Sequence, residues 1–202
     1  GAILARRDPA GYLALVSASA RLPQRVREQV AAEGARLAAT YREILAEGDD
    51  RLRRAVADLL VLGQVPRLAR IMAMAVQDRD SAIRQSAARA LARCALQIPP
   101  RDPYRSEVRE ALVVSLQQYM HHAHRPLLEA ALRFDPSFGQ LFLEILEHPA
   151  DARCPDLRAV MADGDSEEIA ALVVRMIRAA HPRLRQEGMA LLGTNRHARF
   201  RE

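Results

Sequence analysis

Between Gln24 and Gly48 the apolar residues Val26, Val30, Leu37, Tyr41, Ile44 and Leu45 recur at a helical period, with Arg and Glu filling the opposite side. The pattern predicts one long helix closed by Gly48, since glycine ends helices without steric cost. Upstream, residues 8–22 open on Asp8 and Pro9, a helix-start pair, and Pro23 suits the first turn of the next helix. From Asp49 onward the segments shorten and alternate in kind. Helices rich in bulky aliphatics are predicted over 65–78, 106–120, 136–148 and 166–180, the last with Ile169, Leu172, Val173, Met176 and Ile177 on one wide face. Asp165 and Glu168, three apart at its start, have the spacing of a capping box.

The helices between these are richer in small residues, and three of them align: 49–63, 80–94 and 181–195. Leu52, Ile83 and Leu184 form one column and Arg53, Arg84 and Arg185 the next. Four positions after the aliphatic come Val56, Ala87 and Gly188, and eight after it Leu60, Leu91 and Leu192. This stripe places Ala87 and Gly188 where a neighbouring backbone must pass close, and assigns Arg53, Arg84 and Arg185 to holding the turns they follow. Leu52 to Ile83 spans 31 residues and Leu157 to Leu184 spans 27, so a bulky helix, a tight turn and a small-residue helix recur as a unit.

"DRDSAIRQSAARAL" resembles the second helix of a HEAT repeat, in the short form of bacterial HEAT-repeat and phycobilisome-lyase-like proteins, with its acidic turn, aliphatic-Arg pair and Ala-Ala-x-Ala-Leu run. "DDRLRRAVADLLVLG" and "HPRLRQEGMALLG" match more loosely, whereas "HRPLLEAALRFD" lacks the arginine and "PDLRAVMADG" stops short at Gly164. The resemblance implies an all-α fold, a right-handed α-solenoid of about five helical pairs, in which residues 1–48 form an N-terminal cap or degenerate first repeat. HEAT-like repeats would fill 49–195, and 196–202 would be a basic tail. The signature residues of tetratricopeptide and ankyrin arrays are missing.

Composition suits helix packing: half the residues are apolar, only 4% are aromatic, and tryptophan is absent. All 30 basic residues are arginines, 12 against 8 acids in residues 1–70 but 9 against 10 in 141–202, so the positive bias is mild and N-terminal. Cys94 and Cys154, sixty residues apart without a CxxC spacing, read as inert packing thiols in a reducing compartment. No apolar run approaches the roughly 18 to 20 residues of a membrane span, and the default expectation is a soluble cytoplasmic chain. A start at Gly1 rather than Met suggests a fragment of a larger protein, with any upstream targeting or membrane segment out of sight.

Candidate chemistry is sparse. His121, His122 and His124 cluster, and His121 and His124 share a helix face, but no spaced ligand motif joins them to Asp135, His148, Asp151 or Cys154; a polar inter-helix turn explains them better than a metal. The acidic stretches 46–50 and 162–168 sit where helices open, which is where carboxylates cap exposed N–H groups. No phosphate loop, nucleophile elbow or zinc-protease motif occurs, so neither an enzyme nor a cofactor is indicated. The expectation is a scaffold that binds a protein partner through a concave ridge containing Arg54, Asp58, Gln85, Arg89 and Arg93. HEAT-like relatives of the alkylpurine DNA glycosylase type imply nucleic-acid binding instead, and the lyase relatives imply bilin chemistry. Against nucleic acid stand the eight aromatics, four Tyr and four Phe, too few for a stacking surface, and the mixed charge of the ridge.

Overall fold

A computed structural model describes residues 8–119 and 124–194. Among these residues the structure is all-helical, without strands. The chain divides between His122 and Ala123 into two compact units.

The first unit opens with α1 (Pro9–Ala18), capped by Asp8, whose carboxylate accepts from the Ala10 and Gly11 amides. The predicted long helix is broken in two, α2 (Gln24–Ala32) and α3 (Ala38–Glu47), joined by a 3-10 turn at Gly34–Leu37. Gly34 opens that turn, and a Cβ there would lie 2.8 Å from Leu68 Cδ1, so the Leu68 side chain packs close to its bare backbone. On α2, Val30 and Ala31 are buried while Val26, nearer its start, is 37% exposed. Gly48 ends α3, its N–H donating to Ile44 O. Then follow α4 (Asp50–Gly63), capped by Asp49 on the Leu52 amide, α5 (Ala69–Ala75), α6 (Ser81–Gln97), capped by Asp80 on the Ala82 amide, and α7 (Arg105–Gln117).

Alternate helices pack side by side: α2, α4 and α6 make one layer, α3, α5 and α7 the other. Between layers α3 meets α4, and α6 meets both α5 and α7, while α1 lies against α3 and α4. Central α6 buries Ile83, Ala87, Ala88, Ala90, Leu91, Ala92, Cys94 and Ala95, and alanine on so many sides lets three neighbours approach it. Of the aligned stripe, Val56, Ala87, Leu60 and Leu91 are fully buried, but Leu52 is half-exposed because Arg53 takes the inward position beside it.

The second unit holds α8 (Arg125–Phe134), α9 (Phe138–Glu147), α10 (Cys154–Asp163), α11 (Glu167–Ile177) and α12 (Pro182–Thr194). Here α8, α10 and α12 pack in sequence, and α11 lies against α12 and α8. Alongside, α9 and α11 meet where Leu172 Cδ1 sits 3.7 Å from a Cβ built on Gly139 and Arg175 donates to Gln140 Oε1. The cap of α11 is Ser166, one residue beyond Asp165, its Oγ accepting from the Ile169 amide, so Glu167 and Glu168 occupy the first turn and complement the helix dipole. In α12 the buried positions are Leu184, Gly188 and Leu191; Leu192 is half-exposed.

Candidate interaction surface

The aligned arginines do two different jobs. Arg84 Nη1 donates to the carbonyls of Asp78 and Arg79, at 2.8 and 2.9 Å, and Arg185 Nη1 donates to those of Ala179 and Ala180, at 3.0 and 2.7 Å. Each thereby ties its own helix to carbonyls that the preceding helix and its turn leave without helical partners. Arg53 is instead 7% exposed and faces carboxylates: Asp50 at 2.5 Å and the buried Asp78 at 3.4 Å. Gly188 faces the end of α11, where a Cβ would stand 2.9 Å from Ile177 N and 3.0 Å from Met176 Cβ.

Further ion pairs join helices within a layer about one repeat apart. Arg54 reaches Asp80 at 2.7 Å, Arg125 reaches Asp156 at 2.6 Å, and Arg158 reaches Glu187 at 2.5 Å, each bridging from one helix to its neighbour in the layer. The guanidinium of Arg54, then the Ala82 amide, holds Asp80 below the usual carboxylate range, and Arg53 followed by Arg79 does the same for Asp50.

Of the ridge read from the sequence, Asp58, Arg89 and Arg93 come together. They line one groove of about 230 Å³ with Arg27, Val61, Leu62 and Ser86. Arg27 comes from α2, Asp58, Val61 and Leu62 from α4, and the rest from α6, so α4 supplies the middle and its two layer neighbours the sides. Val61 and Leu62 are half-buried; Asp58, Arg89 and Arg93 are exposed. Among the described residues Arg27, Asp58 and Arg93 form no ion pair, and Arg89 reaches only the Gln85 carbonyl, at 3.4 Å. Arg54 is outside this groove and engaged with Asp80, and Gln85 is exposed but also outside it. Sequence reasoning missed Arg27 because it precedes the aligned repeats; only the packing of α2 beside α4 brings it in.

The corresponding groove of the second unit, between α8 and α10, has the opposite sign, with Glu129, Asp163 and Asp165 against Arg125. Reactive groups are few. Burial, aided by Asp102, pushes the Cys94 thiol up to about 12, and Cys154 is buried with its Sγ donating to the Ile145 and His148 carbonyls. His121 lies outside the described residues, His124 flanks the start of α8, and no group of three or more His, Cys, Asp or Glu converges among the described residues. Of the described aromatics only Tyr104 is not buried, and Arg67 covers its ring at 5.9 Å. No helix among the described residues is long and apolar enough to cross a membrane. Protein-family models, curated proteins and solved structures provide no match to the chain.

Proposed function

We propose that the chain is a HEAT-like helical-repeat module, its hairpins stacked as in a right-handed α-solenoid, and that it binds a protein partner along the face made by α2, α4 and α6. Side-by-side packing of alternate helices, and arginine-carboxylate pairs at separations of 26, 31 and 29 residues, support the repeat reading, because such contacts arise when similar hairpins stack on one another. The observation that carries the binding role is the groove itself: Arg27, Asp58 and Arg93 stand there without partners among the described residues, beside half-buried aliphatics. Unpaired arginine over apolar surface is the composition of an interface anchor. A nucleic-acid role has less support, since Asp58 sits among the arginines and no aromatic ring of the described residues is fully exposed for stacking.

The test is affinity capture from the source cell with Arg89→Glu/Arg93→Glu, compared with the charge-matched control Arg42→Glu/Arg178→Glu at exposed positions outside the groove. The groove variant should keep its helicity and melting temperature, yet lose a partner that the wild type and the control retain. Full retention of every partner moves the binding surface elsewhere. A duplex DNA titration accompanies it: submicromolar binding at physiological salt with a steep salt slope would establish the nucleic-acid role instead.

A further inference from the structure

Resting on the protein-binding reading, we infer that the α2/α4/α6 groove takes an extended acidic peptide segment, with carboxylates paired by Arg27, Arg89 and Arg93. Three arginines against one aspartate give the lining a net positive charge, and none of the three is neutralised by a carboxylate of the described residues. Arg89 and Arg93 are four residues apart on α6, so their stems are offset by roughly 6 Å along the helix. Alternate side chains of an extended strand recur at roughly 6.6 Å, so two acidic residues at positions i and i+2 of a peptide match the pair. The residue between them faces the other way, towards the α2 side, where Arg27 stands.

The middle of the groove sets the chemistry of the backbone. Asp58 is an acceptor and cannot donate, so it suits a peptide N–H, a group that a polynucleotide backbone lacks. A phosphate chain could also span Arg89 and Arg93, but it would bring its charges against Asp58 with no N–H in return. Val61 and Leu62, half-buried one turn further along α4, offer apolar contact to an aliphatic side chain within the acidic run. The lining therefore describes a mixed ligand: carboxylates on both sides, an amide backbone, and an aliphatic residue.

The probe is a short fluorescein-labelled peptide of glutamate and leucine, compared with its glutamine-for-glutamate counterpart and with a single-stranded oligothymidine, by fluorescence anisotropy at physiological salt. The glutamate peptide should bind at least about tenfold more tightly than either, and Arg27→Glu/Arg93→Glu should weaken it by about tenfold or more while leaving the circular dichroism and melting curve unchanged. The neutralising pair Arg27→Gln/Arg93→Gln should give a smaller loss in the same direction, and serves if charge reversal disturbs folding. Equal binding of the glutamate and glutamine peptides, tighter binding of the oligothymidine, or no measurable peptide binding each overturns the inference. If any of these occurs while capture from the cell still depends on Arg89 and Arg93, only the acidic ligand is wrong; if capture is also independent of them, the groove is not the binding site.

Discussion

At the scale of single residues, one column of an alignment conceals two physical roles. Arg84 and Arg185 each give a charged donor to two carbonyls of the turn that precedes their own helix, an interaction with no buried carboxylate in it. Arg53 faces Asp78, whose side chain is only 4% exposed, so its removal leaves that carboxylate with the Asp80 amide but without its cation. Breaking a buried ion pair from one side costs roughly 3 to 5 kcal/mol, whereas losing a charge-assisted hydrogen bond to a carbonyl costs roughly 1.5 to 3 kcal/mol, less where water can replace the donor. Arg53→Ala should therefore lower the melting temperature well beyond the few degrees expected of Arg84→Ala, in parallel thermal scans followed by circular dichroism. Equal losses in the two variants would show that Asp78 finds other solvation. The alignment could place these arginines but not separate them, because what Arg53 faces is set by Asp78, 25 residues away in the acidic turn of the next aligned helix.

At the scale of helices, periodicity was enough to find nearly every element, because most carry an apolar stripe that packs on a neighbour; α6 is apolar on several sides, against three neighbours. It failed at Gly34, where the apolar positions stay in register across a break at which Leu68 packs on the bare backbone. It misplaced the α11 cap because Asp165 and Ser166 are both good caps and the choice depends on where the chain leaves Gly164. The same contacts separate glycines that look alike in sequence. Both Gly188 and Gly193 lie in α12, and alanine at either would gain up to about 1 kcal/mol of helix propensity. At Gly188 the added methyl would meet the Ile177 backbone nitrogen at 2.9 Å, and overpacking against backbone costs about 1 to 3 kcal/mol. At Gly193 it would meet nothing within 4 Å. Urea unfolding should show Gly188→Ala destabilised and Gly193→Ala unchanged or slightly stabilised. Ala87→Leu, in a fully buried column position, belongs with Gly188→Ala, and a tolerated leucine there would refute close packing around α6.

At the scale of the molecule, the all-helical class was legible and the division after His122 was not, since similar helices run on either side of it. The groove was half legible: Asp58, Arg89 and Arg93 stood out from the alignment, whereas Arg27 needed the packing of α2 on α4. Both units share a dependence on arginine-held carboxylates, and this gives the whole chain a pH response of definite sign. Asp50 and Asp80 in the first unit, and Asp151 in the second beside Arg153, are all held below their ordinary value of 3.8 in the folded protein. In the unfolded chain these groups take up protons at the ordinary value, so acid favours unfolding as soon as the unfolded state binds more protons than the folded one. Stability from these pairs is complete at neutral pH, starts to decline below about pH 5, and is gone once the pH has passed beneath the folded-state values. The melting temperature should accordingly be level from neutral pH to about pH 5 and then fall steadily through the carboxylate range. Arg54→Leu removes the largest cause of the low Asp80 value, so that variant should show a shallower acid limb than the wild type, whatever its stability at neutral pH. An acid limb of unchanged steepness in Arg54→Leu would mean that Asp80 is held mainly by its cap bonds to the amides of α6, and that the inter-helix pair adds nothing to the folded state.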